Sequence, residues 1–234
     1  MLSQKRIVLD PRLSMIAELV GSCSCYADIG CDHGRLGAFM LQNGICQKAL
    51  LTDISEPSLN KARRLIGLLG YTDRVRFLVG DGLDVLDEAV EAIVIAGMGG
   101  ATIAGILRCG RDRLHNASLI MQPNVGQTEL RRALCDLGYR IEDERVVPDG
   151  RRNYVLIKAR PGEAKYDIRQ LTVGPVLLER MPESLGRYAA FRLRVAKKAL
   201  KGAQASVSAQ SQADQATLEQ EIAIWEEVAS CLAQ

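Results

Sequence analysis

Aromatic side chains are scarce in this chain, at 4% with a single Trp, so a hydrophobic core has to be built from aliphatic residues. That suits helices packed on a parallel sheet. Long apolar runs are missing too. None approaches the ~20 residues that a membrane-spanning helix needs, and Met1 to Asp10 lacks the apolar stretch of a signal peptide. No CxxC pair occurs among the seven cysteines, at 23, 25, 31, 46, 109, 135 and 231, and an odd, scattered set excludes a secreted disulfide framework. These absences point to a reducing cytoplasm and no membrane attachment. One-sided charge is also absent. Thirty Lys and Arg against 28 Asp and Glu leave a net +2, so a nucleic-acid partner requires basic residues gathered locally.

What is present is a chain of 234 residues, 47% hydrophobic, long enough for one sizeable core and a small second unit. Short apolar runs alternate with segments of helical period from about residue 25 to 160. The strands read as Tyr26 to Ile29, Ala49 to Asp53, Val75 to Val79, Ala92 to Ala96 and Ser118 to Met121. Helices read as Leu36 to Gln42, Pro57 to Leu69, Ala101 to Arg108 and Thr128 to Leu137, with a short amphipathic helix (Leu13, Ile16, Ala17, Val20) before them. Such alternation implies a parallel, doubly wound sheet. Tyr139 to Val147 and Asn153 to Ala159 are joined by only Pro148 to Arg152, which favours an antiparallel hairpin at the end of the sheet. Five parallel strands and a hairpin outline the class I methyltransferase fold, a Rossmann-like α/β fold. After Pro161-Gly162 the strands cease. Glu183 to Gly202 and Ala213 to Leu232 read as two long helices joined through Gly202 to Gln212, and the second carries a seam of Leu218, Ile222, Trp225, Ala229 and Leu232. The expected division is a catalytic domain over 1–162 and a helical hairpin over 163–234.

Asp28-Ile29-Gly30-Cys31-Asp32-His33-Gly34 is the strongest local signal. A strand ends in an acid, and a glycine two positions later turns the chain into a helix whose free N–H groups and positive end face a ligand. The full GxGxxG fingerprint is absent. Asp53 ends the second strand, 23 positions after Gly30, where a carboxylate can accept both ribose hydroxyls. Asp81, in Gly80-Asp81-Gly82, ends the third, where it can accept from an adenine amine. Ile54, Gly82, Ala96 and Gly97, beside these strand ends, complete the expected cofactor pocket. Each acid alone reads equally as a solvated strand end or a helix cap; three at consecutive strand ends favour a shared ligand.

Asp28 to His33, Ile95-Ala96-Gly97-Met98-Gly99-Gly100 and Gln122-Pro123-Asn124, in this order and at these strand ends, resemble the bacterial tRNA (adenine-N1)-methyltransferases that modify adenine 22. The resemblance extends to Arg12-Leu13, Asn153-Tyr154 and Gly174-Pro175, nearly the whole chain. It implies S-adenosyl-L-methionine as cofactor, a seven-stranded sheet with helices on both faces, and a coiled-coil-like C-terminal domain that helps to hold tRNA. The family commonly has serine at the position of Cys31, and an Ala-Tyr-Leu-Pro run where this chain has Gly34-Arg35-Leu36-Gly37. If that tyrosine stacks on the target base, Arg35 replaces it by guanidinium stacking or the role lies elsewhere.

Methyl transfer from a sulfonium is an in-line displacement that needs an aligned lone pair more than a strong base. Enzymes acting on an exocyclic amine place side-chain acceptors after strand four. Here Gly97, Met98, Gly99 and Gly100 offer backbone alone, which fits a ring nitrogen such as adenine N1. Asp32 is the candidate for stabilising the cationic product, with His33 positioning it or the base. Gln122, Pro123 and Asn124 are expected to read an extruded adenine, with Asn153 and Tyr154 supplying an acceptor and a stacking ring. Asn124 as a helix cap and Tyr154 as strand packing are the plainer readings. Arg187, Arg194, Lys198 and Lys201 fall on one helical stripe suited to phosphates, which Arg12, Arg151 and Arg152 can extend. Alternatively, the basic helix pairs with the acidic one carrying Asp214, Glu219, Glu221, Glu226 and Glu227. Cys23, Cys25, Cys31 and His33 are held apart by the strand and turn between them, so no metal is expected. The chain is expected to act as a monomer or weak dimer. Competing readings are a methyltransferase of a protein or small molecule, and a non-catalytic nucleotide-binding module with a helical interaction arm. A nicotinamide-dependent oxidoreductase is disfavoured, since no Tyr-x-x-x-Lys pair accompanies the incomplete glycine fingerprint.

Overall fold

The structure, a computed structural model, describes residues 6–205 and 209–232, without the side chains of 209–212. The residues 1–5 of the N-terminal segment and 206–208 of the connection read above lie outside the described residues. The chain divides into two compact units between Lys165 and Tyr166.

The first unit runs α1 (Pro11–Val20), β1 (Cys23–Ile29), α2 (Arg35–Gln42), β2 (Cys46–Asp53), α3 (Glu56–Leu68), β3 (Val75–Val79), β4 (Ala92–Met98), α4 (Gly100–Cys109), β5 (Ser118–Pro123), α5 (Gln127–Asp136), β6 (Tyr139–Asp149) and β7 (Arg152–Pro161). The seven strands lie in the order β3-β2-β1-β4-β5-β7-β6. The first five are parallel, and β7 inserts antiparallel between β5 and β6. The class I methyltransferase outline read from the sequence is therefore the fold. Its central strands are buried on both faces, as parallel sheets are: Ile93, Val94 and Ile95 of β4 and Leu119, Ile120 and Met121 of β5 have no exposed surface. Ile16 of α1, Leu36 and Met40 of α2, and Leu59 and Ile66 of α3 share one core against the sheet. Strand order reverses between β1 and β4, so the carboxyl ends of those neighbours open a crevice where α/β sheets bind ligands.

Local chemistry sets the helix starts. Asp10 accepts from Leu13 N at 2.7 Å and Pro11 takes the first turn of α1, while Ser55 caps α3 through Ser58 N at 3.4 Å. A two-residue loop, Gly150-Arg151, joins β6 to β7.

The second unit opens with two short helices that the apolar periodicity missed, α6 (Ile168–Val173) and α7 (Pro175–Arg180). Each spans six residues, too few for a period to register, yet their signals are local: a capping box on Asp167 and Gln170, and Pro175 at a first turn. Helices α8 (Glu183–Gln204) and α9 (Ala209–Leu232) then pack antiparallel, with Leu232 over Gly186 and Gln215 Nε2 donating to the Ala203 carbonyl at 3.1 Å. Trp225 is fully buried and meets the Tyr188 ring edge-on at 5.5 Å. Of the expected seam only Trp225 is buried, while Leu218, Ile222, Ala229 and Leu232 are half-buried; Ile224 and Val228 complete the buried face of α9, which packs on α6 as well as α8. No described helix is long and apolar enough to cross a membrane.

Candidate functional site

The turn after β1 forms the floor of a cleft of about 560 Å³. Thr52 O receives both Gly30 N and Cys31 N at 2.9 Å, which fastens the turn to β2. Gly30 has φ +75°, a left-handed conformation that favours glycine, and Met98 Cε lies 2.5 Å from where a Cβ would stand. No side chain caps α2, whose first residues Arg35 and Leu36 line the cleft and turn the positive helix end toward it.

Asp28, Asp53 and Asp81 all line this one cleft. Asp28 is buried at 6% exposure. Burial, with the Asp53 charge nearby, pushes its carboxyl up to about 7, while the Arg12 guanidinium pulls the other way. The Asp53 carboxylate ties two elements together, accepting from Asp32 N at 3.0 Å and Ser55 N at 2.8 Å, and still has lone pairs to spare. Asp81 is exposed at the end of β3, where Gly80 N donates to Asp53 O at 3.1 Å. The expected pocket residues Ile54, Gly82, Ala96, Gly97 and Met98 also line the cleft, as do Asp32 and His33. Burial and the surrounding aspartates hold the Cys31 thiol far above its ordinary range, which disfavours the thiolate form.

Asp32 and His33 are both exposed, with His33 Nε2 3.4 Å from Asp32 Oδ1. Lys61 Nζ is closer, at 3.0 Å from the same nitrogen. An ammonium only donates, so His33 Nε2 accepts from Lys61. Lys61 carried no motif signal, since it comes from α3 through the fold. Thr52, Thr102 and Ile106 were missed for the same reason and line the cleft. The Thr52 hydroxyl there is buried without a hydrogen-bond partner.

Other candidates sit around or behind this wall. Gly99 and Gly100 stand outside the cleft lining. Gly100 is glycine because a Cβ would meet Gly126 O at 2.0 Å, where the α4 start passes under the next loop. Pro123 is buried and Asn124 exposed. Gln122 is fully buried, accepting from Arg12 Nη1 at 2.9 Å and donating to Asn124 Oδ1 at 3.0 Å. Arg12 and Arg35 line the cleft. Arg12 lies 5.5 Å over the Tyr154 ring, and Arg35 Nη2 donates to Val8 O at 2.6 Å. Asn153 and Tyr154 are consecutive on β7 and so point to opposite sheet faces. Arg151 and Arg152 are exposed at the hairpin tip. Among the described residues, no group of three or more His, Cys, Asp or Glu could hold a metal ion.

In the second unit the basic residues of α8 fall into two sets. Arg192 bonds Glu221 at 2.6 Å and Lys197 bonds Glu226 at 2.7 Å, so charge pairing between the helices is present. Arg187, Arg194, Lys198 and Lys201 form an exposed stripe. Arg194 leans on Phe191, and among the described residues neither it, Lys198 nor Lys201 enters an ion pair.

The sequence and fold are similar to those of known proteins. Residues 9–157 match a methyltransferase domain family. The chain is 34% identical to the Bacillus subtilis tRNA (adenine(22)-N(1))-methyltransferase over 170 residues, which is 71% of each chain. The crystal structure of the B. subtilis m1A22 tRNA methyltransferase superposes with a TM-score of 0.87 at 27% identity, covering 95% of this chain and 99% of that one. A Streptococcus pneumoniae protein solved in complex with S-adenosyl-L-methionine gives a TM-score of 0.85 at 25% identity, covering 95% of this chain and all (100%) of the other.

Proposed function

The chain belongs to the methyltransferase domain family and, within it, to the bacterial tRNA (adenine(22)-N1)-methyltransferases, and from that premise we propose how its residues methylate N1 of adenine 22 in tRNA. One observation carries the reading: three carboxylates from three consecutive strands line the same cleft as the glycine turn.

The cleft fits S-adenosyl-L-methionine by its donor and acceptor set. The buried Asp28 carboxylate suits a cationic amino group, the spare lone pairs of Asp53 suit ribose hydroxyls, and Asp81 suits an adenine amine. The buried Thr52 hydroxyl, otherwise without a partner, is a further polar atom that such a ligand can satisfy. The bound cofactor supplies an electrophilic methyl group. The chain's own task is alignment, because adenine N1 already carries its lone pair and needs no base. Gly97 and Met98 bring backbone to the acceptor's side of the cleft. Asp32, solvated and adjacent, offsets the positive charge that the ring gains on methylation. The Arg35 guanidinium lines the cleft and offers a face for an extruded base, and the half-buried Tyr154 ring lies under Arg12 beside it.

Arg187, Arg194, Lys198 and Lys201 on α8 take tRNA phosphates in this reading, with Arg151 and Arg152 as a second contact. The cofactor set comes from one chain, so a monomer or weak dimer suffices. A tRNA substrate and seven unpaired cysteines fit a cytoplasmic enzyme. Incubation with unmodified tRNA and methyl-labelled cofactor, followed by nucleoside analysis, tests the proposal. The label is expected in 1-methyladenosine. Label at N6, on cytosine, or on protein overturns it.

A further inference from the structure

Gln122, expected to read the base, has no exposed surface, and both ends of its amide are taken. We infer that Gln122 and Asn124 are positioning residues: with Arg12 they form a one-way hydrogen-bond relay that fixes the Gly97–Met98 backbone where the methyl acceptor arrives. The inference rests on the proposed methylation and deepens it.

The relay's direction follows from its two ends. A guanidinium only donates, so Gln122 must present its oxygen to Arg12 Nη1 and its NH₂ to Asn124. Asn124 then presents its oxygen to Gln122 and its NH₂ to Gly97 O, at 2.7 Å. A backbone carbonyl only accepts, so neither amide can turn over without breaking two bonds.

The loop needs this support for a covalent reason. Register between β4 and β5 slips between Ala96 and Met98, leaving Gly97 as an extra residue at φ +81°. The residue opposite Met98 is Pro123, which has no N–H to give. Asn124 donates to the carbonyls on either side of the slip, its side chain to Gly97 O and its backbone N to Met98 O, each at 2.7 Å. Met98 in turn packs directly over Gly30. The relay therefore sets the spacing between the turn that holds the cofactor and the loop that meets the base.

Arg12 anchors the far end. It starts in a capped first turn of α1, lies over the Tyr154 ring, and lines the cleft. Four elements, α1, β4, β5 and β7, are thereby referred to one cation. A displacement reaction loses about 100-fold in rate for a misplacement of roughly 1 Å, so slack here appears in kcat and leaves binding alone.

Three variants test the relay. Gln122→Glu keeps the acceptor for Arg12 and removes the donor to Asn124. Asn124→Asp keeps the acceptor for Gln122 and removes the donor to Gly97. Gln122→Met removes both bonds at similar volume. Each is expected to lower kcat by roughly 10- to 100-fold, with tRNA KM and cofactor Kd within about threefold of the parent. A tRNA KM raised tenfold with kcat intact means that Gln122 touches the base, and unchanged kinetics mean that the relay is idle. Either result overturns the inference. Slow hydrogen exchange of the buried Gln122 side-chain amide by NMR, lost in Arg12→Met, gives a reading independent of tRNA. If the parent enzyme makes no 1-methyladenosine the functional reading fails, while the amide exchange still judges the relay. Fast exchange in the parent refutes the relay by itself.

Discussion

The two walls of the cleft are built differently. On the cofactor side each carboxylate hangs at the end of its own strand, and Asp28, Asp53 and Asp81 line the cleft from three consecutive strands. On the acceptor side the groups support one another, and Arg12 meets Gln122 across 110 positions. The first wall is a row of strand ends set by a regular sheet, with Asp53 fastening the turn after β1 to the turn after β2. The second is a network, in which one loss propagates through bonds that cannot reverse. A fold that must hold an invariant cofactor and admit a bulky, variable RNA has reason to separate the two.

The largest expected effect is on the cofactor side. Asp53→Ala removes the ribose acceptor and the tether between Asp32 N and Ser55 N, and should weaken S-adenosylmethionine binding about 100-fold by calorimetry, as two lost charge-assisted hydrogen bonds would. Near-parental affinity would show that the wall is not a row of direct contacts. A smaller effect is expected beyond the cleft. Mutating Arg194 and Lys198 together to Ala should weaken tRNA binding about tenfold and reduce the log–log salt slope by roughly 1.5 to 2. Lys197→Ala, which loses only the exposed pair with Glu226, should leave that slope alone. An unchanged slope in the double variant would reduce the stripe to intramolecular pairing.

The smallest effect concerns pH. Asp28 titrates at about 7 in the folded chain against an ordinary 3.8, through burial first and Asp53 second, with Arg12 opposing. Between those values unfolding releases a proton, so this group's contribution to stability is lost as pH rises from about 4 through 7. Cofactor binding runs the opposite way, because a cationic amino group needs the ionised form. Affinity should fall severalfold from pH 8 to pH 6, and Asp28→Asn should flatten that dependence. A flat profile in the parent would remove Asp28 from the ligand's contacts.

Legibility in the sequence divides along the same line. Asp28, Asp53 and Asp81 could be read because strand ends are marked locally, by apolar runs stopping at an acid and a glycine. All seven strands and the two long C-terminal helices were legible from periodicity. The short α6 and α7 were not, since six residues carry no measurable period. Gln122 was read as a site residue from its place at the end of strand five, but its burial and its bond to Arg12, which arrives from α1, carried no local signal. Lys61 beside His33 is likewise a product of tertiary packing. Asn153 and Tyr154 read as a pair in sequence, and the alternation of β7 sends them to opposite faces.

The central claim is that this cleft delivers a methyl group to the lone pair of adenine N1. The most direct test compares initial rates of label transfer to tRNA carrying adenosine or 1-deazaadenosine at position 22. Transfer to the first as 1-methyladenosine and none to the second is the predicted result. Comparable transfer to the deaza substrate would contradict it.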